Sequence, residues 1–590
     1  MSISLIFPIL LAGWIVWLGY RFAESCINGA RLSPAGASGR MTRADALLMA
    51  GITLLYGCTA FWNLGDQTAP ETFYKFPTAD SQVVLELPEE QTVGQVLYYT
   101  GLNTGKYTIS ASRNGQDWQE LGTLEQRHSM LFSWREGEME PFSAKYVKLT
   151  SDSPLYLGSF VLRDLDGTEI LLQTEQSAGA LLDEREVTPV SPSYLNGTYF
   201  DEIYHARTAY ENVENVYPYE TSHPPLGKLI ISVGIRLFGM TPFGWRCMGT
   251  LTGVLMLPVL YLFLKRLFGN TSVAACGTVI FAFDFMHYTQ TRIATIDSYA
   301  VLFILMMYYF MYRFVTERKL WCLALSGISF GLGAASKWTC IYAGAGLALL
   351  WLLHWIFRMK KEGDFRALGK NILFCLLFFV AIPGVIYYMS YYPYGRAIGL
   401  EGVSMYFDPS YAKLVWNNQV GMLTYHVGVD ATHPYSSRWY QWIFDARPIL
   451  YYLDYGPAGT KSAIAAFVSP LLCWGGLFAM VGMGYLAFWK RDQKAGFILI
   501  GYLAQLVPWM FVGRITFEYH YFACTVFLTL AVCYALDVIR RHRPGGIKML
   551  YAFTGISVGL FVLFLPVLSG LWANTSFTGA FLKWFPSWPL

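Results

Sequence analysis

Two adjacent acids, Asp201 and Glu202, stand in the stretch YFDEIYHARTAYE, and further on the chain reads SHPPLGKLI. A carboxylate within hydrogen-bond reach of a hydroxyl takes its proton as a bond forms to carbon. A second acid beside it raises the first one's pKa or orients the acceptor. The same pair also reads as solvated acids at a helix start, favoured by the macrodipole. Lys228 and His223 flank the start of the next helix, whose free amide N–H groups favour anions. A lipid phosphate at headgroup level suits that site, although Lys228 equally suits snorkelling to the interface and His223 a satisfied surface position. A reaction between a lipid-borne phosphate and an acceptor outside the bilayer needs both a base and an anion site.

Arg292 lies in DFMHYTQTRIATIDSYAVLF, between two apolar runs and flanked by Asp284 and Asp297. An arginine at membrane depth costs roughly 3 kcal/mol or more and usually has a partner. It reads either as an Arg–Asp lock between helices or as a clamp on a phosphate. Arg514, Glu518 and His520 in GRITFEYHYF, and Lys337 and Trp338 in GAASKWTCIY, repeat the situation at other span ends. Arg438 and Trp439 belong to SSRWYQW, where aromatic and polar side chains together suit a sugar ring or an interfacial belt. Asp297, Lys337, Trp338, Arg438, Trp439, Arg514 and His520 are therefore the candidate substrate-binding residues. The acids and histidines show no HExxH or CxxC spacing, so a divalent metal has little support in the sequence and no cofactor is assigned. There is no Gly-rich phosphate loop and no sign of a nucleotide site.

These groups need a frame, and the composition supplies one. Of 590 residues 54% are hydrophobic, 17% aromatic and only 14% charged. Mean hydropathy is +0.36. Apolar runs near 4–20, 45–63, 243–264, 271–287, 297–314, 320–336, 338–357, 370–389, 463–488, 495–513, 519–538 and 549–569 approach the roughly 20 residues a helix needs to cross a bilayer. An α-helical multi-pass membrane protein with about twelve transmembrane helices follows. A net charge of +3 gives no reason to expect nucleic acid. Arg21, Arg31, Arg40 and Arg43, then Lys265 and Arg266, Arg318 and Lys319, Arg358 with Lys360 and Lys361, Lys490, Arg491 and Lys494, and Arg540, Arg541 and Arg543 fall in loops that alternate in phase. The positive-inside rule makes that face cytoplasmic. Both termini and the polar stretches 64–242 and 390–462 are then outside. The first run lacks a basic start and a small-residue cleavage site and reads as a retained helix. The cysteines lie almost all in apolar spans, among them Cys276, Cys340 and Cys524, and none falls in 70–200. They read as small core residues without a disulfide in the exported part.

Residues 70–180 differ in kind. SQVVLEL, GQVLYYTG, KYTISASRNGQDWQELG, AKYVKLTS and YLGSFVLRD are short β-branched or aromatic runs separated by Gly, Asn and Asp turns. They predict an extracytoplasmic β-sandwich. The runs Ser112-Arg113-Asn114-Gly115-Gln116-Asp117-Trp118 and Ala144-Lys145-Tyr146-Val147-Lys148-Leu149 resemble discoidin-like domains, which often bind sugars or lipid surfaces. Because the sandwich precedes the acid pair, it is expected to be dispensable for chemistry. The loop 196–219 predicts a short surface helix with Asp201, His205 and Thr208 on one face. Ser222 is the expected N-cap of the helix Leu226 to Phe238, which should lie flat on the outer surface.

The segments FDEIYHARTAYE, SHPPLGKLIISVGIRLFGMTPFGWR, QTRIATIDSYAVLF, GAASKWTCIYAG, SSRWYQW and RITFEYHYF together resemble the protein O-mannosyltransferase family, in that family's order. These are polyprenyl-phosphate-sugar-dependent glycosyltransferases of the GT-C class. The resemblance implies Asp201 as base, Glu202 in support and Arg292 on the lipid phosphate. It implies inverting transfer of a sugar, mannose by this likeness, from a polyprenyl-phosphate-linked donor to a Ser/Thr hydroxyl of an exported protein or peptide. The inserted sandwich, and the missing luminal sugar-binding domain in 390–462, depart from the eukaryotic pattern and suggest a bacterial cell membrane enzyme with an extracytoplasmic active site. The layout is two N-terminal helices in 1–69, the sandwich in 70–185, a catalytic outer loop in 186–242, a GT-C core in 243–389, an outer loop in 390–462 and C-terminal helices in 463–590. A glycosyltransferase acting on a wall polymer or lipid shares every argument but the acceptor. A transporter would need mid-span charges and repeated halves, whereas here the charges cluster at outer ends.

Overall fold

The computed structural model describes residues 3–27 and 39–590, so the expected cytoplasmic Arg31 lies outside the described residues. Two compact units emerge: one holds 1–62, 215–230 and 249–590, the other 63–214 with 231–248.

In chain order the helices are α1 (Ile3–Ile27), α2 (Arg43–Phe61), α3 (Glu202–Val213), α4 (Leu226–Phe238), α5 (Pro242–Phe268), α6 (Thr271–Ala282), α7 (Phe285–Arg292), α8 (Asp297–Glu317), α9 (Leu320–Ser336) and α10 (Thr339–Glu362). Then come α11 (Phe365–Leu376), α12 (Ile382–Met389), α13 (Tyr392–Ala397), α14 (Pro409–Gly428), α15 (Trp439–Trp442), α16 (Pro470–Phe488), α17 (Gln493–Leu506), α18 (Phe522–His542) and α19 (Gly546–Ser569).

Among the described residues 10 helices are long and apolar enough to cross a bilayer, which corrects the expected twelve. The two apolar runs that fall short are α6, with 12 residues, and α9, with 17. Helix α6 stops because Asp284 turns away to cap α7, accepting the His287 N–H at 3.2 Å. Helix α9 stops at Lys337, whose ammonium turns to Asp297 at 2.7 Å. The run at 463–488 becomes helical only from Pro470, because Thr460–Ala466 is a strand paired with Ile449–Gly456.

Basic residues at the expected cytoplasmic ends have acidic partners. Arg266 and Arg313 share Glu317, Arg540 and Arg541 share Asp537, and Lys265 meets the buried Asp45 at 2.8 Å. Asp45 also closes the capping box with Thr42 that starts α2.

In the second unit two antiparallel sheets form the sandwich. Its strands are β1 (Tyr74–Phe76), β2 (Gln82–Val93), β3 (Gln95–Thr100), β4 (Gly105–Ser112), β5 (Gln119–Gln126), β6 (Trp134–Glu136), β7 (Phe142–Ser151), β8 (Leu155–Arg163) and β9 (Gln173–Thr174). The sheet orders are β1-β8-β3-β6 and β5-β4-β7-β2-β9. Alternation decides the core: Val83 faces Leu149 and Leu85 faces Val147 across β2 and β7, and all four are buried.

Helix α3 belongs to this same unit. Ile203 shares one apolar cluster with Leu97, Tyr99, Leu131, Phe132, Trp134 and Val161, and Tyr210 packs on Phe132 at 5.0 Å. Arg207 meets His128 of the sandwich at 3.2 Å and Glu211 at 2.7 Å. The sandwich is therefore the floor on which the acid-bearing helix rests, a packing that argues against its being dispensable. Phe132→Ala should cost about 3–5 kcal/mol and loosen α3. Limited proteolysis would show new cleavage between 196 and 214 in that variant. A wild-type cleavage pattern would mean α3 stands without the sandwich.

Candidate active site

Asp201 occupies the N-cap position of α3, half-buried, with φ −80° and ψ 0°, and its carboxylate makes no cap hydrogen bond to the helix. Asp201 thus stands at a helix start without capping it. His205 and Thr208 share its face as expected, and both are buried. Glu202 has another occupation. It is fully buried, and Arg246 grips it with two parallel bonds, Nε to Oε1 at 2.8 Å and Nη2 to Oε2 at 2.7 Å. The same guanidinium donates to the Leu64 carbonyl at 2.9 Å and the Gly197 carbonyl at 2.8 Å, and lies 4.8 Å from the Tyr199 ring. Glu202 and Arg246 tie together the chain entering and leaving this region. The sequence reading missed Arg246, because an arginine just inside an apolar helix looks like one more interfacial cation.

In the first unit, residues 220–228 form a closed knot. Glu220 accepts from the Lys228 ammonium and the Ser222 hydroxyl, from the Ser222 N–H at 2.8 Å, and faces His223 Nδ1 at 3.0 Å. Lys228, fully buried, also donates to the Glu220 carbonyl at 2.7 Å and the His223 carbonyl at 3.0 Å. Ser222 is therefore not the N-cap of α4. The helix begins at Leu226, with the Pro225 carbonyl taking the first helical bond from Leu229 N–H. Two successive prolines, Pro224 and Pro225, push the helix start past Ser222. Glu220 was the missed residue here, and its only signal was one acid before a basic, proline-rich run.

Helix α14 clamps this knot from its buried face. Asn418 donates to the Thr221 carbonyl at 3.0 Å, and His426 Nε2 lies 2.9 Å from the Ser222 carbonyl. Burial, His223 and Arg514 together push His426 down to about 4, so the ring is neutral near pH 7. From Asn418 a polar chain runs through Tyr391, Gln419 and Tyr387 to Trp338, whose Nε1–H donates to Tyr387 Oη at 3.0 Å.

Lys337 pairs with Asp297 at 2.7 Å and lies 5.6 Å from the Tyr519 ring. Asp297, Tyr342, Trp509, Tyr519 and His520 line a cavity of about 20 Å³, room for one water molecule. His520 stacks on Trp442 and Tyr519. Arg438 Nη1 holds the carbonyls of Val512, Gly513 and Arg514 at 3.1–3.3 Å, while Ser437 and Thr516 exchange two bonds. That staple fixes the turn carrying Arg514, which is half-buried and has no ion-pair partner among the described residues. Trp439 is half-buried against Tyr440 at 5.8 Å.

Arg292 ends α7, 5% exposed. It donates to Tyr288 Oη at 2.7 Å and to the Trp62 carbonyl at 2.9 Å, and sits 4.7 Å from the Tyr288 ring. The flanking acids bond elsewhere, Asp297 to Lys337 and Asp284 to the Ser469 and His287 amides. Among the described residues no group of three or more His, Cys, Asp or Glu is placed to hold a metal ion.

The profile of the dolichyl-phosphate-mannose-protein mannosyltransferase family matches residues 222–388, and that of the C-terminal four-transmembrane region of protein O-mannosyltransferases matches 412–588. Asp201 and Glu202 precede both ranges. A polyprenol-phosphate-mannose–protein mannosyltransferase of Mycobacterium tuberculosis is 23% identical over 453 residues, covering 66% of this chain and 86% of that one. Its counterpart from Mycolicibacterium smegmatis is 24% identical over 466 residues, 68% and 89% of the two chains. Among solved structures, the S. cerevisiae protein O-mannosyltransferase Pmt1–Pmt2 complex bound to the sugar donor matches with a TM-score of 0.58 at 14% identity, over 67% of this chain and 89% of that one. That likeness shows a shared membrane fold.

Proposed function

The chain belongs to the protein O-mannosyltransferase family, and on that premise we propose that it transfers mannose from a polyprenyl phosphate carrier to a Ser or Thr hydroxyl of an exported protein, at the extracytoplasmic face of a bacterial cell membrane. The observation that carries this reading is the agreement of both family profiles, in order, with relatives named for that donor and for protein acceptors. In the reaction the acceptor oxygen attacks the anomeric carbon and the bond from that carbon to the phosphate oxygen breaks. Asp201 takes the hydroxyl proton, and the polyprenyl phosphate leaves as the anion. Glu202, held by Arg246, positions the Asp201 segment.

Arg292 holds the donor phosphate, its guanidinium oriented by Tyr288 and the Trp62 carbonyl. Lys228 spends its ammonium on the Glu220 carboxylate and on the Glu220 and His223 carbonyls, so it shapes this knot, and the half-buried His223 is the group the knot offers to the phosphate. Arg514, presented by the Arg438 staple and without an acidic partner among the described residues, supplies a further positive charge for a substrate. Trp338, Trp439 and His520 offer ring faces to a sugar, and the Asp297–Lys337 pair offers polar contacts.

Full-length protein in proteoliposomes, given polyprenyl-phosphate-[14C]mannose and Ser/Thr peptides, should label peptide. Label found only in lipid or polymer would overturn the acceptor, and no transfer from any polyprenyl-phosphate sugar would overturn the reaction. In the same assay Arg292→Ala should weaken donor binding by roughly 10- to 100-fold, because the leaving phosphate is charged before and during reaction. Arg292→Lys should recover only part, lacking the planar fork. Unchanged donor affinity in Arg292→Ala would remove the residue from the phosphate site.

A further inference from the structure

Asp445 and Glu518 are both 0% exposed, and none of their four carboxyl oxygens has a hydrogen-bond partner among the described residues. Among the described residues no lysine, arginine or histidine forms an ion pair with either. Glu518 opens the turn that leads into α18, and Asp445 follows α15, with φ at 51°. The backbone around Asp445 is fixed: its carbonyl accepts Trp588 Nε1–H at 2.7 Å and its N–H bonds the Trp442 carbonyl at 3.2 Å. Asp284 and Cys473 face the pair, and Ser469 bonds Asp284 through its N–H. Asp284 is also a buried acid, but the Ser469 and His287 amides serve its two oxygens. Cys473 directs its thiol to the carbonyls of Trp442 and Ile443 at 3.6 and 3.3 Å. The Ser469 hydroxyl is buried and has no partner among the described residues. None of the three brings a positive charge.

Asp445 and Glu518 lie within hydrogen-bond reach of one another, and two ionised carboxylates sealed together without a cation have little to offset their desolvation and repulsion. One proton between them replaces that repulsion with a short, charge-assisted hydrogen bond. We propose that Asp445 and Glu518 share a proton and form a latch that fastens the 437–446 segment to the start of α18. Through the Ser437–Thr516 exchange and the Arg438 staple, the latch positions the turn that carries Arg514. These are positioning residues, and the inference goes beyond the transfer reaction. Its test needs no substrate, so it stands or falls apart from the mannosyltransferase reading.

Burial and the neighbouring Glu518 raise the Asp445 acid well above the usual carboxylate range. The folded protein therefore holds this proton more tightly than the unfolded chain, whose value is about 3.9. The latch contributes fully below about pH 4, and its contribution is lost as pH rises through the folded value.

The experiment records the apparent Tm of the full chain in nanodiscs at pH 5 and pH 8.5, with infrared spectra at both. Wild type should melt lower at pH 8.5 and lose a buried protonated-carboxyl band. Glu518→Gln and Asp445→Asn each supply a permanent N–H donor to the remaining carboxylate. They should raise the Tm at pH 8.5 above wild type and shrink the pH-dependent drop, while Glu518→Ala should lower the Tm at both pH values. A Glu518→Gln protein that melts as low as Glu518→Ala, or keeps the full wild-type drop, would overturn the latch. So would a Tm increase on adding a divalent cation to wild type that the Glu518→Gln variant lacks, since that would make the pair a cation site.

Discussion

Asp201→Asn should lower the single-turnover rate by roughly 10²–10⁴-fold while leaving donor affinity close to wild type. The amide keeps the size of the carboxylate but cannot accept the acceptor's proton. The split between rate and affinity separates this role from that of Arg292, whose loss should reduce both. At its N-cap position Asp201 makes no cap bond to α3, so the substitution removes no cap from the helix. A normal rate in Asp201→Asn would remove the general base from this residue. Glu202 would then be a poor successor, because Arg246 bonds both its oxygens at 2.8 and 2.7 Å.

Arg246→Ala should produce the second large effect, on stability. Removing one member of a buried pair leaves the other as an uncompensated charge, a loss of about 3–5 kcal/mol. Here the Leu64 and Gly197 carbonyls lose their donor as well. The variant should melt far below wild type or fail to accumulate, and any purified fraction should have little activity. Glu202→Gln should be milder, since its amide oxygen still accepts from the guanidinium. Replacing both residues with Met should recover part of the loss, because it removes the unpaired charge together with its partner. Equal melting temperatures for Arg246→Ala and wild type would show that the pair does not hold this region together.

Much of the molecule was legible because its signals are local. Runs of apolar residues need a bilayer, and each helix satisfies its own backbone bonds, so the spans could be read one at a time. The sandwich strands announced themselves by alternation and turn residues, as in Val83 and Leu85 against Leu149 and Val147. The count failed at α6 and α9, where Asp284 and Lys337 end the helices by bonding to Ser469, His287 and Asp297. Ser222 failed as a cap for a similar reason: Glu220 claimed its hydroxyl and amide.

The chain's sequence by itself determined the class, the order of the family's segments and the residue types that serve acid–base and phosphate chemistry, because side-chain chemistry and apolar length need no partner to be recognised. Tertiary structure alone decided which of two neighbouring acids is bound to an arginine and which sits at an uncapped helix start, and that Glu220 neutralises Lys228. It also decided that the sandwich supports α3, and that Asp445 and Glu518 are sealed in without a counter-charge. Each of those facts depends on which groups from distant parts of the chain share one buried space. There desolvation makes a pairing decisive, whereas in water the same residues would be interchangeable surface charges.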